Sequence, residues 1–301
     1  MTAPVIKQLA HILDHNNPDE VFNEVKKTFC YNYTNESFLA IEHVYKVASS
    51  LYKGSFPGYR RCNTEYHDFK HVNHVFLATA RIIDGLILHK GPLDKTIAVN
   101  LLIASLLHDT GYIQEETDTE GTGAKYITTH VQRGIEFTKK YYQQLNLSAE
   151  DIPAITALIE CTNTNPDPID QLSGEELLYG AIIATADIVG QMSDRVYLEK
   201  LLFLYYEFVE AGIEGYNTAF DILRKTHMFY KSTMDRLNIK LCACYDLSKY
   251  HFETRYNADN NLYMTAIENQ INYLQKIMDD SGSNFRDKLH RLNIKEILRT
   301  K

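Results

Sequence analysis

A chain of 301 residues that is 45% hydrophobic and 23% charged has enough apolar material for a sizeable core. Its formal net charge of -8 argues against a protein that coats nucleic acid or an anionic membrane, yet it leaves room for a local basic pocket and a compact anionic substrate. Five cysteines, Cys30, Cys62, Cys161, Cys242 and Cys244, lack a secreted-scaffold spacing and point to free thiols in a reducing cytoplasm. Residues 1–50 carry no basic-then-apolar leader pattern, and no apolar run approaches the roughly 20 residues of a membrane span.

Apolar residues recur at three and four positions along the chain, the period of amphipathic helices. The first such faces are Phe38, Ile41, Val44, Tyr45 and Ala48, then Val75, Leu77, Ala78, Ile82 and Leu86. Further helices are expected at 131–142, 152–162, 175–192, 194–211, 218–237 and 262–278, with Pro153 in a first turn that tolerates it. Breaks fall at 54–58, 90–92, 120–123, 163–168 and 280–283, each rich in Gly, Pro, Asn or Ser. No alternating strand pattern intervenes, so the fold is expected to be all-α. The expected layout is an N-terminal helical extension over 1–61, a central helical bundle over 62–238, and C-terminal helices over 239–301 that cap the bundle or a homodimer interface.

Three segments carry chemistry. Tyr66-His67-Asp68-Phe69-Lys70-His71 comes first, then the doublet His108-Asp109 at the end of an apolar run, then Asp187 within Leu177–Gly190. Two imidazoles and two carboxylates on otherwise apolar helices are what a divalent metal needs. An ion also gives the buried carboxylates a physical reason to be there. His67, His71 and His74, spaced by four and three, would share one face of a helix. Around Asp187, the small Gly180, Ala184 and Gly190 would permit close packing about a ligand.

The order His71, His108-Asp109, Asp187 resembles the H…HD…D pattern of the HD-domain metal-dependent phosphohydrolases, over roughly residues 62–194. Residues 66–75 also resemble the Tyr-His-Asn-x-x-His-Ala-x-Asp-Val motif of cyclic nucleotide phosphodiesterases. Asp68 stands for its asparagine, His74 for its aspartate, and Thr110-Gly111-Tyr112 follows the doublet. The resemblance implies that His71, His108, Asp109 and Asp187 hold a divalent ion, with Asp109 bridging to any second ion. It implies that His67 is the general acid. Nitrogen and oxygen ligands suit Mn, Fe, Zn, Ni, Co or Mg without distinguishing them. The implied reaction is hydrolysis of a phosphoester in a nucleotide or another small phosphorylated metabolite. The competing readings are a cyclic-nucleotide phosphodiesterase, a di-iron oxygenase of the same fold, and a non-catalytic nucleotide- or metal-binding regulator.

Lys125, His130 and Arg133 surround a glycine-containing loop and the start of a helix, which together would cradle a phosphate. The competing reading leaves the two cations solvated and His130 as a helix cap. His130 is also a candidate ligand for a second ion, with Glu160 as the later partner. The acidic stretch 115–120 is read as an entrance loop or as solvated surface, and the tyrosines of the C-terminal half as packing. No nucleic-acid motif accompanies them.

Overall fold

The computed structural model describes residues 7–280 and 284–292. Among the described residues there are eleven α-helices and no strand; one isolated antiparallel bridge joins Tyr59 to Glu115. The all-α expectation holds. Residues 1–6 of the expected N-terminal extension, and 281–283 and 293–301 of the C-terminal one, lie outside the described residues. No helix among the described residues is long and apolar enough to cross a membrane.

The organising element is α3 (Phe69–Lys90), in which every residue from His71 to Leu86 is buried. It starts where the Asp68 carboxylate accepts a hydrogen bond from the His71 backbone N–H, and it stops at Gly91, whose φ of +101° a side chain would resist. Helices cover it on all sides: α1 (Pro18–Cys30), α4 (Lys95–Leu107), α7 (Gly174–Met192) and α10 (Leu247–Tyr256). Each apolar face predicted from the period is buried, including Phe38 and Ile41 near the start of α2 (Leu39–Tyr52). The apolar run before the doublet forms α4, buried along nearly its whole length because α2, α3 and α6 (Ile152–Glu160) enclose it.

The caps are the ones the residue types favour. Asn17 accepts from Asp19 N and Glu20 N with Pro18 at the first helical position, and Asp94 accepts from Thr96 N and Ile97 N. Thr218 and Asp221 form a reciprocal capping box at the start of α9 (Ala219–Asp235). Two boundaries differ from the periodic reading. The helix expected from residue 194 begins three residues later as α8 (Tyr197–Glu210), because the Asp194 carboxylate accepts from Val196 N and turns the chain first. The helix expected to run to residue 237 ends in a π-turn at Arg236–Lys240. The periodic reading also passed over α10, whose sequence is mostly polar and which buries only Leu247, Ser248, His251 and Phe252. The remaining helices, α5 (His130–Tyr141) and α11 (Leu262–Asp279), fall close to their expected spans. One continuous apolar core runs from Val21 and Phe29 of α1, through Phe76 and Leu77 of α3, to Phe252 of α10 and Leu274 of α11.

Candidate metal centre

Three helices meet at the predicted ligands. His71 lies in the first turn of α3, His108 caps the C-terminus of α4, and Asp187 lies on α7. Asp109 follows His108 outside helical geometry (φ -103°, ψ 8°) and opens a short 3-10 turn over Thr110–Tyr112. The close contact of α3 with α7 depends on Gly190: a Cβ there would come within 3.1 Å of the His74 backbone.

The two imidazoles bring Nε2 to within 3.3 Å of Nε2. His71 Nε2 is 3.2 Å from both Asp109 Oδ2 and Asp187 Oδ1, and His108 Nε2 lies 3.4 Å and 3.9 Å from the same two oxygens. One ligand atom each from His71, His108 and Asp187 falls within 4.8 Å of the others, as in a group that closes on a single ion. The His108 tautomer suits that role. Its Nδ1–H donates to Ser105 O at 2.9 Å, which leaves the Nε2 lone pair facing the cluster. Asp109 Oδ2 is buried and has no hydrogen-bond partner, although two imidazole nitrogens stand close to it. Atoms gathered this tightly, one of them a buried carboxylate oxygen with no hydrogen-bond partner, fit a divalent cation.

The electrostatics agree. Burial alone would push the His71 imidazole down, but hydrogen bonds and charge from Asp109 and Asp187 raise it to about 10. His108 is raised against burial by Asp109 and then Asp187. Burial works against ionisation of both carboxyls, yet His108 and His71 hold Asp109 well below the usual carboxylate range, and His71 followed by His108 lowers Asp187. A pair of carboxylates that binds protons on neighbouring imidazoles so firmly offers the same negative field to a cation. Asp187 keeps 26% of its side chain exposed whereas the other three are nearly inaccessible, so the cluster opens to solvent on its side.

His67 requires a correction. The four-and-three spacing predicts His67, His71 and His74 on one helix face, but Asp68 caps α3 and leaves His67 in the preceding turn. His74 turns away from the cluster: its Nε2 meets His15 O at 3.2 Å and its Nδ1 lies 3.7 Å from Asp194 Oδ2. His67 still reaches the site by another route. Its Nδ1 donates to Glu207 Oε2 on α8 at 2.7 Å, and its Nε2 stands 3.4 Å from the Tyr112 hydroxyl. Glu207 Oε1 accepts from Glu65 N and Tyr66 N, so one buried carboxylate fixes both the turn and the ring.

Tyr112 stacks on His67 (centroids 4.2 Å apart, planes 12° apart) and on His130 (4.4 Å, 21°). The tyrosine therefore spaces two imidazoles beside the cluster. His130 Nδ1–H donates to Ile127 O at 2.8 Å, and His130 Nε2 lies 3.6 Å from Asp109 Oδ1. Asp109 thus turns one oxygen to His71 and His108 and the other to His130. Sequence reasoning missed both Glu207 and Tyr112. Glu207 had one faint signal, a carboxylate four residues beyond Phe203 on an apolar segment, and Tyr112 had only its nearness to the doublet.

The other members of the predicted phosphate cradle are spent on the protein. Lys125 Nζ pairs with Asp118 Oδ1 at 2.6 Å and with Glu120 O at 2.7 Å. Arg133 donates from Nε to Gly111 O and from Nη2 to Ile113 O, and its guanidinium lies 3.6 Å from the centroid of the Tyr126 ring. Both brace the loop between the doublet and α5, so the expected cationic cradle gives way to a structural role. The acidic stretch 115–120 is part of that brace through Asp118, which also accepts from the Tyr126 hydroxyl. Glu160 is exposed at the end of α6 and is not in the cluster. Asp194 pairs with Lys200 and His74 instead of facing the ligands.

Residues 115–245 match a family described as Npun_R2479-like. The matched stretch contains His130, Asp187 and Glu207, and leaves out His67, His71 and the doublet. No curated protein matches the chain.

Proposed function

We propose that this protein is a metal-dependent phosphohydrolase acting on a phosphoester of a nucleotide or another small phosphorylated metabolite. The observation that carries the reading is the convergence of His71, His108, Asp109 and Asp187 around the orphaned Asp109 Oδ2, with a separately anchored imidazole, His67, beside them. The resemblance of these positions to the HD-domain phosphohydrolases agrees with it. His71, His108, Asp109 and Asp187 would hold the ion. When bound, a divalent cation supplies charge neutralisation at a phosphoryl oxygen and lowers the pKa of water enough to furnish a nucleophile.

The remaining roles belong to the chain. Imidazole is the side chain suited to proton transfer near neutral pH, and His67 has one nitrogen committed to Glu207 and the other directed toward Tyr112 and the site. A proton held on His67 Nε2 passes to the leaving oxygen. The Glu207 carboxylate keeps Nδ1 protonated and supports the imidazolium before transfer. Tyr112, pressed flat against His67, limits rotation of the ring. His130 Nε2, next to Asp109 Oδ1, would with Asp109 be the residue to hold any second ion.

The test is metal analysis of purified protein together with a panel of phosphomonoesters, nucleotides and cyclic nucleotides, run aerobically and anaerobically. At least one transition metal per chain is expected, lost in Asp109→Ala, with metal-dependent release of a phosphoester product that needs no oxygen. Turnover restricted to cyclic nucleotides would assign the phosphodiesterase reading. The placement of the two Asp109 oxygens beside His71 and His130 also suits a di-iron oxygenase, and a product formed only with oxygen would replace the hydrolase by it. Full metal content in Asp109→Ala would refute the centre itself.

A further inference from the structure

Asparagine and aspartate cap helices about equally well, so the charge of Asp68 is more than capping of α3 requires. Its Oδ1, the oxygen that accepts from the His71 backbone N–H at 2.9 Å, also stands 3.6 Å from Lys200 Nζ on α8. Lys200 is only 8% exposed, a burial that lysine reaches almost solely when it is paired. Burial would push its ammonium down, but Asp68 and then Asp194 raise it above its ordinary value.

The second partner of Lys200 is Asp194 Oδ2, at 3.5 Å, an oxygen that also lies 3.7 Å from His74 Nδ1. Asp194 comes just after the C-terminus of α7, the helix that carries Asp187, and Asp68 opens α3, the helix that carries His71. Asp194 is itself fixed, because its Oδ1 accepts from Val196 N at 3.1 Å and its backbone oxygen accepts from Gln270 Nε2 at 2.7 Å. From that fixed corner Lys200 reaches a carboxylate that keeps 26% of its side chain exposed. Two turns further along α8, on the same face, Glu207 accepts from Glu65 N and Tyr66 N and holds His67. One helix thus fixes consecutive residues from Glu65 to Asp68, the turn that carries His67 through a carboxylate and the start of the ligand helix through an ammonium.

Resting on the metal centre proposed above, we propose that Lys200 is a positioning residue for the ion: anchored on Asp194, it holds the Asp68 carboxylate and with it the first turn of α3, so that His71 stays beside Asp187. Charge and position act here with opposite sign. Removing the ammonium leaves one more uncompensated carboxylate near the cluster, which by its field alone would tighten a divalent ion. Removing a strut lets His71 drift from Asp187 and weakens the ion. The direction in which metal affinity moves therefore tells the two apart.

The experiment is titration of Co²⁺ into the metal-stripped full chain against a chelating indicator, with the visible absorption of the bound ion recorded. Lys200→Met should weaken Co²⁺ by about 10- to 100-fold, the usual loss on removing a residue that orients a ligand, and should shift the absorption bands. Asp68→Asn keeps a capping side chain without the charge, so it should weaken Co²⁺ by a similar factor. Because Lys200 acts through Asp68, Lys200→Met added to Asp68→Asn should cost no more than about a further twofold. Co²⁺ held as tightly or more tightly by Lys200→Met overturns the proposal, and so do losses in the two single variants that multiply in the double one. Should Lys200→Met fail to fold by circular dichroism, Asp68→Asn decides alone, and unchanged affinity there overturns the proposal. An unmodified chain that binds no Co²⁺ refutes the metal centre and this role with it, a failure set apart from the others because it precedes any substitution.

Discussion

In the proposed reaction His67 and Glu207 would separate proton transfer from metal binding at the scale of single side chains. Neither touches the ligand cluster directly, so His67→Ala should keep its metal while turnover falls by about 10² to 10⁴, the usual cost of removing a general acid. Glu207→Gln is more discriminating. The amide can still accept from Glu65 N and Tyr66 N, but its NH₂ faces His67 Nδ1 as a donor, so the doubly protonated imidazolium that serves as the acid loses its support. Metal content should be unchanged, kcat should fall by about 10- to 100-fold with little change in KM, and the alkaline limb of the pH–rate profile, where a general acid loses its proton, should move. Equal metal loss in both variants, measured by elemental analysis, would show that His67 is a ligand. His71→Ala should lose metal and activity together.

Between elements, two contacts set the arrangement of helices around α3 and each makes a prediction. Gly111 sits where a Cβ would come within 1.9 Å of His130 O, a backbone atom that can move only if α5 moves. Gly111→Ala should therefore destabilise by about 1 to 3 kcal/mol or more and displace His130 from Asp109, read as a lower denaturant midpoint and weaker binding of any second ion. On the other side of the molecule, Asp84 ties α3 to α10 and to Asn32 after α1. Its side chain is 1% exposed. Removing it in Asp84→Ala strands Arg255 and His251, and should cost about 3 to 5 kcal/mol by denaturant unfolding. Burial would raise the Asp84 carboxyl, but hydrogen bonds from His251, Arg255 and Asn32 bring it down from 3.8 to about 2. A lowered folded-state value means that the contribution is complete above pH 3.8 and is lost as pH falls toward 2. The unmodified protein should lose stability across that window more steeply than Asp84→Ala, and parallel acid titrations of the two would refute the assignment.

For the whole molecule, the candidate metal centre joins α3, the end of α4 and α7, so an ion held there would be bound to the folded chain alone. Free ion at a hundredfold excess over Kd should stabilise by about 2.7 kcal/mol, which for a chain of this size corresponds to a Tm rise of several degrees. EDTA should reverse it in the unmodified protein and have no effect in Asp187→Ala. A Tm indifferent to both metal and chelator would remove the centre from the folded state.

The residue pattern by itself determined the helical class and most helix spans and singled out the four positions that the fold brings together as a candidate metal site, because a 3.6-residue apolar period and polar groups on apolar helices are local signals that survive in a linear string. It failed where the answer depended on what lay across the molecule. Four-and-three spacing placed His67, His71 and His74 on one face, but a side-chain cap at Asp68 starts that helix at Phe69, beyond His67, and His74 meets His15 O in the segment 7–16. Lys125 and Arg133 read as free cations until Asp118 and the carbonyls of Gly111 and Ile113 claimed them. Glu207, 140 positions from His67, carried almost no sequence signal. Hydrogen-bond partnership and charge compensation are properties of atoms brought together by the fold, so only tertiary structure could decide which polar groups were spent and which were left open.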